Sequence, residues 1–288
     1  MARYTGRFPL SHWGARLGLQ PTLWVLLLIN AALFLLYQAV ALISRFTDPD
    51  IARAFVTSLA LPASPTRLFL HPWAPITYMF FHQDFFHILF NMLWLVTFGR
   101  LFLIRMPAYR LRNLYIWGGI AGGALYVLAY NVIPYFSPVA NVSIALGASA
   151  AVMAITIATV LLSPNERVYL YGFIAIRIKW LGVAIIAIDI LSVMGSNAGG
   201  HIAHLGGAAM GWLYVHSLRH RAYLDHPFAW IASRWAASPR PRPRKTPPKA
   251  GSPSSSADQL QAILRKLARG GYSALSAEEK EILFRSRQ

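Results

Sequence analysis

Between Thr22 and Ile43 the chain runs for 22 residues without a charged side chain, and about 20 such residues are what a helix needs to cross the hydrocarbon core of a bilayer. Inside lipid every backbone N–H and C=O must find its partner within the chain, so a segment of this kind is expected to fold as a helix. The same feature recurs. A second apolar run lies between Asp84 and Arg100 and continues through Leu101–Ile104, past an arginine whose long side chain reaches the interface. From Asn113 to Asn165 there is no charged residue, which leaves room for two helices, and Pro134, Pro138 and Asn141 mark the turn between them. Residues 180–194 form a fifth span interrupted only by Asp189, and after Gly195-Ser196-Asn197 the segment 199–217 forms a sixth. The expected fold class is all-α: a six-helix membrane bundle over residues 22–217.

Composition and charge support a bilayer as the solvent. Only 13% of the residues are charged, against about 25% in soluble domains. The formal charge of +17 sits between and after the spans rather than on one face of a soluble unit, so no nucleic-acid partner is expected. The chain has no cysteine, which excludes disulfide frameworks and cysteine-based zinc sites. Residues 1–21 contain Arg3, Arg7 and Arg16 but no apolar run ending in small residues; this stretch is read as a cytoplasmic N-terminus, not a removable signal peptide. Counting alternate loops, Arg100, Arg105, Arg110, Arg112, Arg167, Arg177 and Lys179 join the N-terminal arginines on one side, against Arg45, Arg53 and Arg67 on the other. Positively charged loops stay cytoplasmic, so both termini are placed in the cytoplasm.

Beyond the last span, residues 218–256 combine a Trp-containing stretch, Pro227 to Ser238, with a Pro/Arg/Ser linker that has no means of burying a core. Residues 257–288 form a small helical ending. Leu260, Ile263, Leu264 and Leu267 recur at helical spacing before Gly270-Gly271, and Ser276 with Glu279 forms a capping-box pattern opening a second helix. The basic linker suits cytoplasmic or anionic-lipid contacts. Nothing in the sequence names a cytoplasmic partner for the ending.

With this topology the first turns of spans two, four and six all lie near the outer face, and the unusual polar residues sit in those turns: His87 and Asn91, then Ser149, then His201 and His204. Taken singly, each has an ordinary reading. A serine in a membrane helix usually packs or bonds back to its own backbone, and His87 with Asn91 at i, i+4 can make an interhelical hydrogen bond. Their shared depth shifts the balance. A hydroxyl becomes a nucleophile when a base takes its proton within about 3 Å, and small residues allow that approach: Gly147, Ala148, Ala150 and Ala151 surround the serine, while Gly207 and Gly211 form a GxxxG step after His204. The N–H groups of His87, Asn91 and the Ser149 backbone are candidate donors to an oxyanion.

Three strings, HPWAPITYMFFHQDFFHILFN (His71–Asn91), GASAAV (Gly147–Val152) and AHLGGAAMG (Ala203–Gly211), resemble in order the HxxxN, GxSx and AHxxG elements of the rhomboid family of intramembrane serine proteases. The ending Gly270–Phe284 resembles the cytoplasmic tail of some bacterial members. The resemblance implies Ser149 as nucleophile, His204 as general base and acid, His87 and Asn91 as oxyanion ligands, and Gly147, Gly207, Gly211 and His201 in support. It implies no third, orienting aspartate, no cofactor and no metal. Gly207 and Gly211, at i+3 and i+7, select His204 over His201. Ala150, Met153 and Ala74 depart from the commonest family pattern. Substrates are expected to be single-pass or other transmembrane proteins, cut on the outer side of a bacterial inner membrane.

Rival chemistries find less support. No HExxH occurs, and Asp189 is the only aspartate within a span, so neither a zinc protease nor a two-aspartate protease is expected. Asp189 is assigned a structural hydrogen bond. His71, His82, His87, His201 and His204 offer ligands for a metal-handling transporter. A catalytically inactive relative acting as a substrate-binding factor is the other alternative, though such relatives typically lack the serine or the histidine, and both are present here.

Overall fold

The computed structural model describes residues 17–170, 174–219 and 256–286. The N-terminal residues 1–16, the Trp-containing stretch and the linker therefore lie outside the described residues. Two compact units divide the chain, Met1–Pro227 and Phe228–Gln288.

The first unit contains nine of the described α-helices: α1 (Pro21–Phe46), α2 (Pro49–Leu59), α3 (Pro65–Leu70), α4 (Ala74–Thr77), α5 (Phe85–Arg105), α6 (Ala108–Val132), α7 (Ser149–Leu162), α8 (Ile178–Ser192) and α9 (Ala198–Arg219). Long helices stand where the apolar runs lie, with a 3-10 turn at Ser137–Val139 between α6 and α7. By length and composition, α1 and α5 are apolar and long enough to cross a membrane, while α7 is apolar but has 14 residues. Local chemistry sets the helix starts. Pro21 opens α1 where a missing N–H costs nothing, and the Asp84 carboxylate accepts from the His87 N–H at 2.7 Å to cap α5.

The segment between α1 and α5 contains structure for which the apolar pattern gives no signal. Asp48 caps the amphipathic α2 through the Asp50 N–H, and a two-residue strand, β1 (Leu61–Pro62), pairs antiparallel with β2 (Ile144–Ala145). The all-α expectation thus misses two short ribbons, the second formed by β3 (Arg167–Leu170) and β4 (Ile174–Arg177). Ala74 departs from the expected pattern, yet the segment between α1 and α5 is held: Trp73 Nε1 donates to Ser58 O at 2.7 Å, Thr77 Oγ1 to Leu59 O at 2.8 Å, and Arg67 to Asn141 O at 3.0 Å.

The helix most central to the packing is α9, which lies chiefly against α7 and α6. Small residues make this possible. A Cβ built on Gly207 would meet the Ala150 carbonyl oxygen, and one on Gly211 would meet the Ala154 carbonyl oxygen one turn further along α7. Gly122 of α6 approaches both Ala150 and the Ala203 carbonyl in the same way. Backbone-to-backbone contact of this kind replaces the hydrophobic effect, which does not separate apolar side chains from lipid tails. A buried polar link ties the periphery to this core: Asn30 of α1 donates to the Tyr115 hydroxyl at 3.2 Å, which donates to Met79 O at 2.8 Å.

In the second unit, α10 (Ser256–Gly270) and α11 (Ala277–Arg285) form a small pair. The capping box is present, with Ser276 Oγ accepting from Glu279 N–H and the Glu279 carboxylate accepting from Ser276 N–H at 2.8 Å. Lys266 bonds the same carboxylate at 2.9 Å and holds its ionisation below the usual carboxylate range.

Candidate active site

Ser149 is the first residue of α7, with Ala148 as the N-cap, so the amides around it have no partner inside the helix. The approach to the serine is shaped by Gly147, whose φ of +119° places it where a side chain is strained. A Cβ there would also lie 2.7 Å from Cε1 and Nε2 of His87. The imidazole of His87 therefore rests directly on the backbone two residues before the serine. Two hydrogen bonds fix this turn: Gly147 N–H donates to Tyr78 O at 2.9 Å, and Ala148 N–H donates to His82 Nε2 at 3.3 Å. Burial pushes the His82 imidazole down to about 3, so the ring stays neutral and keeps the lone pair that this bond needs.

Asn91, one turn after His87 on α5, is buried and donates one amide hydrogen to the His87 carbonyl at 2.9 Å. Its amide nitrogen carries a second hydrogen, which leaves a donor for another acceptor. From the opposite side α9 brings His204. Because Ala203 meets Gly122, Gly122 meets Ala150, and Gly207 meets the Ala150 carbonyl, the residue after Ala203 and the residue before Ala150 stand at one level of the bundle. A single open cavity of about 1090 Å³ is lined by His87, Asn91, Ser149, His201 and His204 together with Gly147, Met153 and Asp189. The cavity has room for several residues of an extended chain, a larger volume than most small-molecule sites. Of the predicted site residues, Gly207 and Gly211 do not line it. They act as the seam that lets α9 touch α7.

The resemblance implied no third, orienting aspartate, and Asp189 was assigned a structural hydrogen bond; the structure gives that bond two partners, with Oδ1 of Asp189 on α8 2.9 Å from His204 Nδ1 and 2.8 Å from His201 Nδ1. The sequence carried a signal for this, a lone acid within an apolar span, since such groups in lipid are expensive and rarely idle. Its partners were not readable, because they sit on another helix. The five histidines of the alternative metal-handling reading do not form one ligand set, although His87, His201 and His204 line the same cavity. Among the described residues, Asp189, His201 and His204 are the group close enough to share an ion, while His82 stacks edge-on against His87.

A helical bundle of this apolar character, with an open cavity at its helix ends where histidine, asparagine and serine side chains gather, is a membrane-protein architecture. The sequence matches the Rhomboid domain over residues 70–221, and the chain belongs to the rhomboid family. It is similar to RHOMBOID-like protein 12, mitochondrial, of Arabidopsis thaliana, with 30% identity over 210 residues covering 69% of this chain and 59% of that protein. It is also similar to Rhomboid protein 1, mitochondrial, of Saccharomyces cerevisiae, with 32% identity over 144 residues, 47% of this chain and 38% of that protein. The chain thus spans well under two thirds of the length of these relatives.

Proposed function

We propose that the protein is an intramembrane serine endopeptidase that cleaves transmembrane proteins through a Ser149–His204 dyad, with six of its helices (α1, α5, α6, α7, α8 and α9) spanning the membrane. The observation that carries the reading is the shared cavity, where a hydroxyl at a helix N-terminus, an imidazole from α9 and two N–H donors from α5 converge. His204 takes the serine proton as the Oγ–carbonyl bond forms, and the oxyanion is met by Asn91, His87 and the amides of the first turn of α7. Substrates are transmembrane proteins whose helices unwind into the cavity, and no cofactor is required. Both relatives are mitochondrial by name, which bears against the bacterial inner membrane expected from the sequence. The proposal is therefore limited to sidedness: both termini on the Lys/Arg-rich side, the cavity opening to the other. Purified protein in detergent, given a transmembrane test substrate, should cleave it, and Ser149→Ala protein should not; equal cleavage by both would rule the reading out.

Two further results are expected. Removing one oxyanion donor typically lowers turnover on the order of 10²–10³-fold, so Asn91→Ala should lose that much kcat with a smaller change in KM and unchanged folding. Wild-type turnover in this variant would reduce Asn91 to its bond with the His87 carbonyl. The helical pair α10–α11 belongs to the second compact unit, and the residues named as lining the cavity all belong to the first. Truncation after Ser238 should accordingly leave turnover within about threefold of wild type, a small fraction of what loss of a catalytic group costs, while changing stability or localisation in cells. Loss of turnover with intact folding, measured in the same detergent, would make the tail a regulator.

A further inference from the structure

Asp189 lines the cavity and has no task in the reaction as described. It is 4% exposed, and its Oδ1 faces two imidazole nitrogens, Nδ1 of His201 at 2.8 Å and Nδ1 of His204 at 2.9 Å. Its Oδ2 is buried with no hydrogen-bond partner among the described residues. A carboxylate has no proton to give, so these contacts are hydrogen bonds only if each imidazole carries its proton on Nδ1. A neutral imidazole protonated there has its lone pair on Nε2, at the far edge of the ring. That lone pair is what a general base offers to a hydroxyl.

We propose that Asp189 is a positioning residue for the base, holding His204 through Nδ1 so that Nε2 presents its lone pair to Ser149. The assignment rests on the protease reading above and adds to it. As the Ser149 Oγ bonds to the scissile carbonyl carbon, the hydroxyl proton passes to Nε2 and the carbonyl electron pair moves onto oxygen. His204 is then an imidazolium, and Asp189, still ionised, is the anion against it. The proton leaves again with the amine nitrogen when the C–N bond breaks. Among the described residues no Lys or Arg lines the cavity, and the other acid there, Asp84, caps α5 through the His87 N–H. Asp189 is thus the carboxylate in contact with the base. Its place on α8 also explains the sharing with His201: one oxygen fixes both imidazoles of the first two turns of α9, which stops the His204 ring from turning about its own side chain. The competing account is a tether that merely holds α8 to α9.

The test combines three measurements on the full chain in detergent. The rate at which a fluorophosphonate labels Ser149 reports nucleophile activation without a protein substrate. Cleavage of a transmembrane substrate separates kcat from KM, and thermal unfolding reports the fold. Wild type should label and cleave. Asp189→Asn, which keeps shape but not charge, should lose labelling rate and kcat by on the order of 10²–10⁴-fold, the range associated with a mispositioned base, with KM within about threefold and part of the rate restored in Asp189→Glu. A tether would instead lower the unfolding temperature and leave labelling of the folded fraction unchanged, and that result overturns the proposal. Should Asp189→Asn not fold, ¹⁵N-histidine spectra of the wild type decide: a neutral His204 protonated on Nδ1 is expected, and protonation on Nε2 instead overturns the assignment. A wild type that neither labels nor cleaves would overturn the protease reading and this assignment with it. A wild type that labels, matched by Asp189→Asn, overturns this assignment alone.

Discussion

Ser149→Ala and His204→Ala are each expected to reduce cleavage of a transmembrane substrate to background, a loss of about 10⁴-fold or more. In the proposed mechanism the nucleophile and its base act in one step, so the double variant should be no worse than either single one. Both side chains line the same cavity, one at the start of α7 and the other in the second turn of α9. Replacing either by alanine removes few packing atoms, so unfolding temperatures should stay near wild type. His201→Ala provides the comparison: it removes the other imidazole on Asp189 Oδ1 and leaves the carboxylate to His204, so its loss should be roughly tenfold or less, milder than removal of a general base. A dead His201→Ala alongside an active His204→Ala would move the role of base to His201. Rates from a fluorogenic transmembrane peptide, with a no-enzyme control to set the background, make the comparison.

A substitution that touches no reacting atom should be nearly as severe. In Gly207→Val the new Cβ would lie on the Ala150 carbonyl oxygen, a backbone atom in the first turn of α7, one residue after the serine. A flexible side chain can turn aside, but a helix backbone moves as a unit. Either α9 is pushed away from α7, which separates His204 from Ser149, or the bundle is strained. Overpacking costs about 1–3 kcal/mol where neighbours can relax, and this neighbour has little freedom to do so. The expected result is a lowered unfolding temperature together with a loss of turnover of at least about 10²-fold, since a misplacement near 1 Å is enough for that. Gly211→Val should destabilise similarly through the Ala154 carbonyl while acting one turn further from the serine. A Gly207→Val protein with wild-type unfolding temperature and turnover would refute the seam as the device that sets the distance between the two residues.

Much of the cavity lining was legible before any tertiary contact was known. The run of uncharged residues forces helices, because lipid offers no partner for a free backbone group. The GxxxG step after His204 marks a helix face that another backbone can touch, and the structure shows that face against Ala150 and Ala154. Gly147 needed the structure for its second role. Its small size was visible near the serine, but the positive φ and the imidazole of His87 resting on it were not, because both depend on how the turn before α7 is held by Tyr78 and His82. The ordering of the segment between α1 and α5 by β1 and β2 was also invisible, since two-residue strands leave no periodicity to read.

By itself, then, the sequence determined the apolar helices, the order in which histidine, asparagine and serine meet the helix ends, and the small residues that allow close packing. Each of these follows from local chemistry: charge, side-chain size and the need to satisfy the backbone. Only the tertiary structure decided what Asp189 touches. An acid in an apolar helix must find partners, but which ones depends on the rotation of α8 against α9, and that rotation is set by contacts distributed over the whole bundle. Residues 12 and 15 positions apart, on either side of a turn, meet at one carboxylate oxygen, a coincidence in space that no spacing rule within a single helix encodes.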